Sequence, residues 1–262
     1  MQSISFLRPD LWRTAWFVML LFFSGSLYAG AYDDMLTAMR QNDIPKVMQL
    51  LERGMDVNTS DKDGNTLLMM AARNNALEML DYLLKNRANV LKTNKYDDSA
   101  LMLAALNGHL EAVQKLVEAR AQINPAATDG ANNWSPLTYA AFNGHLPIMK
   151  YLLEQGAQID KPARNGMTAL MLSAREGHLE AIKLLLEQGA NPRLKNPNGL
   201  TARQLAKKSK NTEIAQLLLQ AEDRQKQAEN RNPFSSPFLN PAREGGDSGS
   251  EMPDHSLKII VQ

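Results

Sequence analysis

Between about residue 32 and residue 222 the chain alternates short apolar blocks with polar turns. Within the longer blocks the apolar positions fall at helical spacing. Leu77, Leu80, Leu83 and Leu84 are an example, with steps that line one face of a helix. The block before each of these is shorter and has a small pair at its centre: Ala71-Ala72, Ala104-Ala105, Ala140-Ala141, Ser173-Ala174 and Ala206-Lys207. The first members of these pairs lie 33, 36, 33 and 33 residues apart. The longer helix keeps the same steps at Leu51, Leu84, Val117, Leu153, Leu186 and Leu219, which the pattern takes as core positions. A thin helix, a turn and a second apolar helix are therefore predicted six times over.

The polar positions agree. Thr66, Ser99, Ser135, Thr168 and Thr201 each precede a thin helix, where a hydroxyl can accept a first-turn N–H. Gly108, Gly144 and Gly177 follow these helices and suit a left-handed end, with Asn75 in the same place one unit earlier. Arg87 and Arg120 stand where Gly54, Gly156 and Gly189 stand in other units, so the second and third units should be the least stable. One unit cannot bury its own apolar face, and stability must accumulate along a stack. The first unit, Tyr32 to Ser60, has helices but no connection leading into them, as a starting cap would. In the last, Arg203 replaces Leu68, Leu101, Leu137 and Leu170, and Lys207 replaces an alanine, which suits an outer face with no further repeat on it.

The unit around Gly166-Met167-Thr168-Ala169-Leu170-Met171-Leu172-Ser173-Ala174-Arg175-Glu176-Gly177-His178-Leu179-Glu180 follows the pattern G-x-T-x-L-x-x-A-A-x-x-G-H-x-E, and Ser135-Pro136-Leu137 keeps a T/S-P-L opening. On these residues and this period, the chain resembles the ankyrin-repeat family over about residues 32–222. The resemblance implies an all-α ankyrin-repeat solenoid of six stacked helix-turn-helix units with short β-like fingers. The units are expected at about 32–60, 61–93, 94–127, 128–162, 163–195 and 196–222. It further implies that fingers and first helices line a concave surface for a protein partner. Carried onto this chain, that surface takes Tyr96, Trp134 and Arg164 from fingers, and Arg73, Leu106, Asn107, Phe142, Asn143 and Arg175 from first helices. Its middle, at Tyr96, Leu106, Trp134 and Phe142, has the composition of an interface hot spot. The other reading packs Trp134 and Phe142 against each other. The 36-residue step places three extra residues between Asn124 and Ser135, a longer finger expected to carry Trp134 toward Phe142 and Tyr96.

The ends of the chain differ in kind. Arg8 and Arg13 precede an apolar run over residues 15–23, then small residues through Ala29-Gly30-Ala31. That is the form of a cleavable secretory signal over residues 1–31, cut after Ala31 or Ala29 and delivering the rest to the periplasm. The alternative is an uncleaved anchor in the inner membrane and a membrane-tethered structural scaffold. Residues 223–262 lack apolar periodicity and read as a disordered tail ending in the β-prone Leu257 to Gln262, which could add to a partner's sheet edge.

Charge and chemistry narrow the function. The sequence holds 29 Lys+Arg against 28 Asp+Glu, giving no basic surplus to suggest nucleic acid as a partner. There is no cysteine, which excludes disulfides, thiol catalysis and Cys-ligated metal. No nucleophile elbow, phosphate loop or HExxH occurs. His109, His145 and His178 repeat with the units and cannot converge on one metal across helices ~8–10 Å apart; turn hydrogen bonds account for them. His255 is alone in the tail. Asp61 to Asn65 resembles a calcium loop but lacks its closing Glu. The expected protein is a non-enzymatic binding module that holds, protects or neutralises an unknown protein partner. No cofactor, metal or small-molecule substrate is expected. Bacterial secreted ankyrin proteins are the comparison this suggests.

Overall fold

A helix that is apolar all round has to be surrounded, and the stacking of helices satisfies that need here. The computed structural model describes residues 30–126 and 134–231. Among them are twelve helices and no strand, only the isolated bridges Ser60–Thr66 and Thr93–Ser99 at the base of two fingers. The helices come in six pairs: α1 (30–41) with α2 (Ile44–Glu52), α3 (Leu67–Arg73) with α4 (Leu77–Lys85), α5 (Ala100–Leu106) with α6 (Leu110–Glu118), α7 (Pro136–Phe142) with α8 (Leu146–Glu154), α9 (Ala169–Glu176) with α10 (Leu179–Glu187), and α11 (Ala202–Lys208) with α12 (Thr212–Arg231). This is the all-α repeat solenoid that the periodicity predicts. Residues 1–29, 127–133 and 232–262 lie outside the described set. So do most of the expected signal, the three-residue insertion and the terminal segment after Pro233.

The first helix of each pair is buried almost end to end. In α3 every residue from Leu67 to Ala72 is buried and only Arg73 is exposed; α5 buries Ala100 to Ala105 and α7 buries Pro136 to Ala141. The alanine pairs let α3 pack on α5, α5 on α7, α7 on α9 and α9 on α11. All five expected hydroxyls cap these helices, each accepting from a backbone N–H three residues on. At Thr66 and Ser99 the return bond comes from methionine: the cap N–H donates to Met69 Sδ at 3.4 Å and to Met102 Sδ at 3.3 Å. Gln204 Oε1 fills that role for Thr201 at 2.9 Å. These are capping boxes, two of them closed by a thioether.

The second helices need a correction of register. Near their C-terminal ends the fully buried residue is Leu50, Leu83, Leu116, Leu152, Leu185 or Leu218, each at 2 % exposure or less. Each lies one position before the residue the periodicity marks as core. Leu51, Leu84, Val117, Leu153 and Leu186 are only half-buried, and Leu219 is 41 % exposed. Both residues of each pair fit a stripe about 100° wide, so spacing alone does not say which is central. The rotation of the helix against its neighbours does.

At the far end Arg203 is half-buried, with Nε 2.9 Å from Glu222 Oε2, and Lys207 is exposed. A charged closing face was expected there; the ion pair explains how Arg203 tolerates a position that holds leucine elsewhere. The tail boundary shifts. α12 runs to Arg231, so residues 223–231 are helical where composition suggested disorder from 223. Arg224, Gln225, Lys226, Gln227, Ala228 and Glu229 are all good helix formers, and no proline intervenes before Pro233.

Arg87 and Arg120 adopt φ of +63° and +65°, the left-handed geometry that Gly54, Gly156 and Gly189 adopt without a Cβ. The junction between the second and third units has a further defect. After α2, α6 and α8 a side-chain acceptor takes an N–H from the following unit: Asn58 from Asn89 at 2.7 Å, Asn124 from Gln158 at 2.8 Å, and Asp160 from Asn191 at 3.1 Å. The equivalent pair after α4 is Leu91 and Gln122, and a leucine side chain accepts nothing. Leu91 is also 60 % exposed. Leu91→Asn should stabilise the chain by about 0.5–1.5 kcal/mol through the missing bond. An unchanged urea midpoint would show that this bond does not form.

Candidate functional site

The last residues of successive first helices form a row across the stack, and histidines fix its spacing. His109 Nε2 lies 3.0 Å from the Arg73 carbonyl, His145 Nε2 3.1 Å from that of Leu106, and His178 Nε2 2.8 Å from that of Phe142. A carbonyl can only accept, so in each case Nε2 carries the hydrogen. Asn211 continues the series with an amide at 3.5 Å from the Ala174 carbonyl. Each bond joins a unit to the preceding one, so the turn hydrogen bonds expected of these histidines are links between repeats. Glycine is needed beneath two of the rings. A Cβ at Gly108 would fall 2.8 Å from the His145 ring, and one at Gly144 2.7 Å from the His178 ring, with φ of +81° and +69° at the two positions.

The row itself reads Arg73, Leu106, Phe142, Arg175. Arg73 is exposed, while Leu106 and Phe142 are half-buried. The Arg175 guanidinium lies 5.7 Å from the centre of the Phe142 ring, and its Nε is 2.7 Å from Glu176 Oε1. Trp134, half-buried, also packs on Phe142: its ring centre is 5.3 Å from that of Phe142, edge-on, and 4.9 Å from that of Tyr139. Trp134, Phe142 and Arg175 are thus brought into one patch spanning two repeats. Tyr96 is not part of it. It stands 55 % exposed on the preceding finger, with no ring contact to Trp134 among the described residues. Arg164 is exposed on the following finger.

Asn107 and Asn143 have internal duties. Asn107 Nδ2 donates to the Leu103 carbonyl at 2.7 Å, and Asn143 Nδ2 to the Leu106 carbonyl at 2.6 Å, so their donors serve helix ends before any partner.

Two residues escaped the sequence reading. Tyr139 occupies the place of Met70, Leu103, Leu172 and Leu205. It is buried, and its hydroxyl donates to Asp98 Oδ1 at 2.5 Å on the preceding finger. A phenol at an otherwise aliphatic position was the available signal. Burial and the neighbouring carboxylate push the Tyr139 hydroxyl far above its usual range. Burial also raises Asp98, against the opposing hydrogen bonds from Tyr139 and Asn94. A carboxyl whose folded pKa is raised adds stability when protonated and loses it as pH rises through the folded value. Asp98→Asn keeps an acceptor for Tyr139 without the charge. The variant should therefore lose the fall in melting temperature that the parent shows as pH rises from just below 3.8, the ordinary aspartate value, through the raised one. Parallel melting-temperature profiles for the two proteins would contradict this.

Among the described residues no group of three or more His, Asp or Glu is placed to hold a metal ion, and no helix is long and apolar enough to cross a membrane. A family model described as ankyrin repeats (3 copies) matches residues 35–129 and 124–196. Curated proteins yield no match to the chain.

Proposed function

Because the chain belongs to the ankyrin-repeat family, whose repeats are generally protein–protein interaction modules and typically not enzymes, we propose that it binds, and holds, protects or neutralises, a single protein partner in the periplasm. The observation that supports this most is the patch of Trp134, Phe142 and Arg175. It presents half-exposed aromatic surface beside a cation across two repeats, the kind of composition on which interface energy concentrates. In this reading the partner lies along the concave side, and the flanking Arg73, Tyr96 and Arg164 form its rim.

The location rests on the basic start, the short apolar run and the small residues at 29–31, which favour cleavage over anchoring. Two measurements test the proposal together. The mature protein recovered from cells should begin at Tyr32 or Gly30; a retained Met1 would make it a tethered scaffold instead. Affinity capture from periplasmic extract should yield a partner with the parent chain, and much less with the Trp134→Ala, Phe142→Ala double variant. Equal capture by both would remove the patch from the interface.

A further inference from the structure

The charge along the row is uneven, and this deepens the interaction reading, on which it rests, by specifying the partner's chemistry. From Arg193 to Asn211, the last finger and first helix, there are six Lys or Arg and no Asp or Glu. Arg203 is turned against Glu222, with Nε 2.9 Å from Oε2. Lys207, Lys208 and Lys210 are exposed. The corresponding stretch of the second unit, residues 58–76, carries two Asp against one Lys and one Arg. The basic character is local: outside residues 193–211 the sequence holds 23 Lys or Arg against 28 Asp or Glu.

Lys208 falls at the place of Arg175, 33 residues on, as Arg175 does relative to Phe142. The row therefore continues Leu106, Phe142, Arg175, Lys208: two apolar positions followed by two cationic ones. Arg175 shares its Nε with Glu176 but keeps its face on the Phe142 ring. Neighbouring helices lie about 8–10 Å apart, and an extended peptide rises about 3.3 Å per residue. One repeat thus matches about three residues of an extended partner.

We infer that the row recognises an extended acidic segment of a partner protein, in which two apolar residues three apart are followed at the same step by two Asp or Glu residues. The apolar pair meets Leu106 and Phe142, and the carboxylates meet Arg175 and Lys208. A nucleic acid would satisfy the cations but leave the apolar half of the row uncovered, so a protein segment fits better.

The test uses the full chain and a fluorescein-labelled ten-residue peptide with Leu, Phe, Glu and Glu at three-residue steps and serine or threonine between them. Anisotropy should show the patterned peptide binding at least about ten times more tightly than a scramble of the same composition. Lys208→Glu should lower that affinity about ten-fold, Lys208→Gln should lower it less, and a peptide with lysine in the final acidic place should regain binding on Lys208→Glu. Circular dichroism melts check that both variants fold. Equal binding of the scramble, no gain from the charge swap, equal competition by single-stranded DNA of matching charge, or no binding by any peptide would each overturn the inference. None of those results touches the capture experiment with the Trp134 and Phe142 variant, on which the broader reading stands or falls.

Discussion

Replacing Leu152 with alanine should destabilise the folded chain by roughly 2–5 kcal/mol, the range for emptying a buried leucine site. Leu152 has no exposed surface, and it sits on α8 between α6 and α10, both of which α8 touches. Its loss leaves a cavity lined from two sides, with α7 closing a third. Leu153→Ala is the control. That side chain is half-buried, so its truncation should cost distinctly less. Because each repeat touches only its neighbours, faster amide exchange should appear in α6, α8 and α10 well before α3. Equal effects of the two substitutions on the urea midpoint would mean that the register of the second helices is wrongly assigned.

The second large effect belongs to Trp134→Ala, expected to weaken partner binding by roughly 2 kcal/mol or more. The structure changes what should accompany that loss. Sequence reasoning carried Trp134 on a longer finger toward Phe142 and Tyr96, with packing on Phe142 as the other reading. Its ring lies against both Tyr139 and Phe142, and aromatic pairs contribute about 0.5–1.5 kcal/mol each beyond the area they bury. Trp134→Ala should therefore lower the melting temperature as well. Trp134→Phe, which keeps an aromatic ring there, should recover most of the stability. Affinity of the captured partner, measured by calorimetry at a temperature where both variants are folded, separates the two roles. Stability lost with affinity intact would make Trp134 a packing residue and nothing more.

The repeated helix pairs, the five capping hydroxyls, the left-handed glycine ends and the charged closing repeat were legible in the sequence. Each depends on a local requirement. A cap needs a hydroxyl at one position, a left-handed turn tolerates few residues, and a thin helix needs small side chains at a fixed phase. Periodicity repeats such requirements until chance is excluded. The candidate site was legible only in part. Phe142 and Arg175 were placed by their position in the unit, but Asn107 and Asn143 looked like contact residues until their donors were seen on backbone carbonyls.

What the tertiary structure alone decided is of another kind. It chose Leu152 over Leu153, set Tyr139 against Asp98 forty-one residues away, and turned three repeated histidines into links between units. It also exposed Leu91 as the gap in a series of inter-repeat bonds. All of these depend on the rotation and spacing of one repeat against the next. Those quantities arise from the packing of two surfaces rather than from the propensity of either, and within one repeat's sequence they have no local signature.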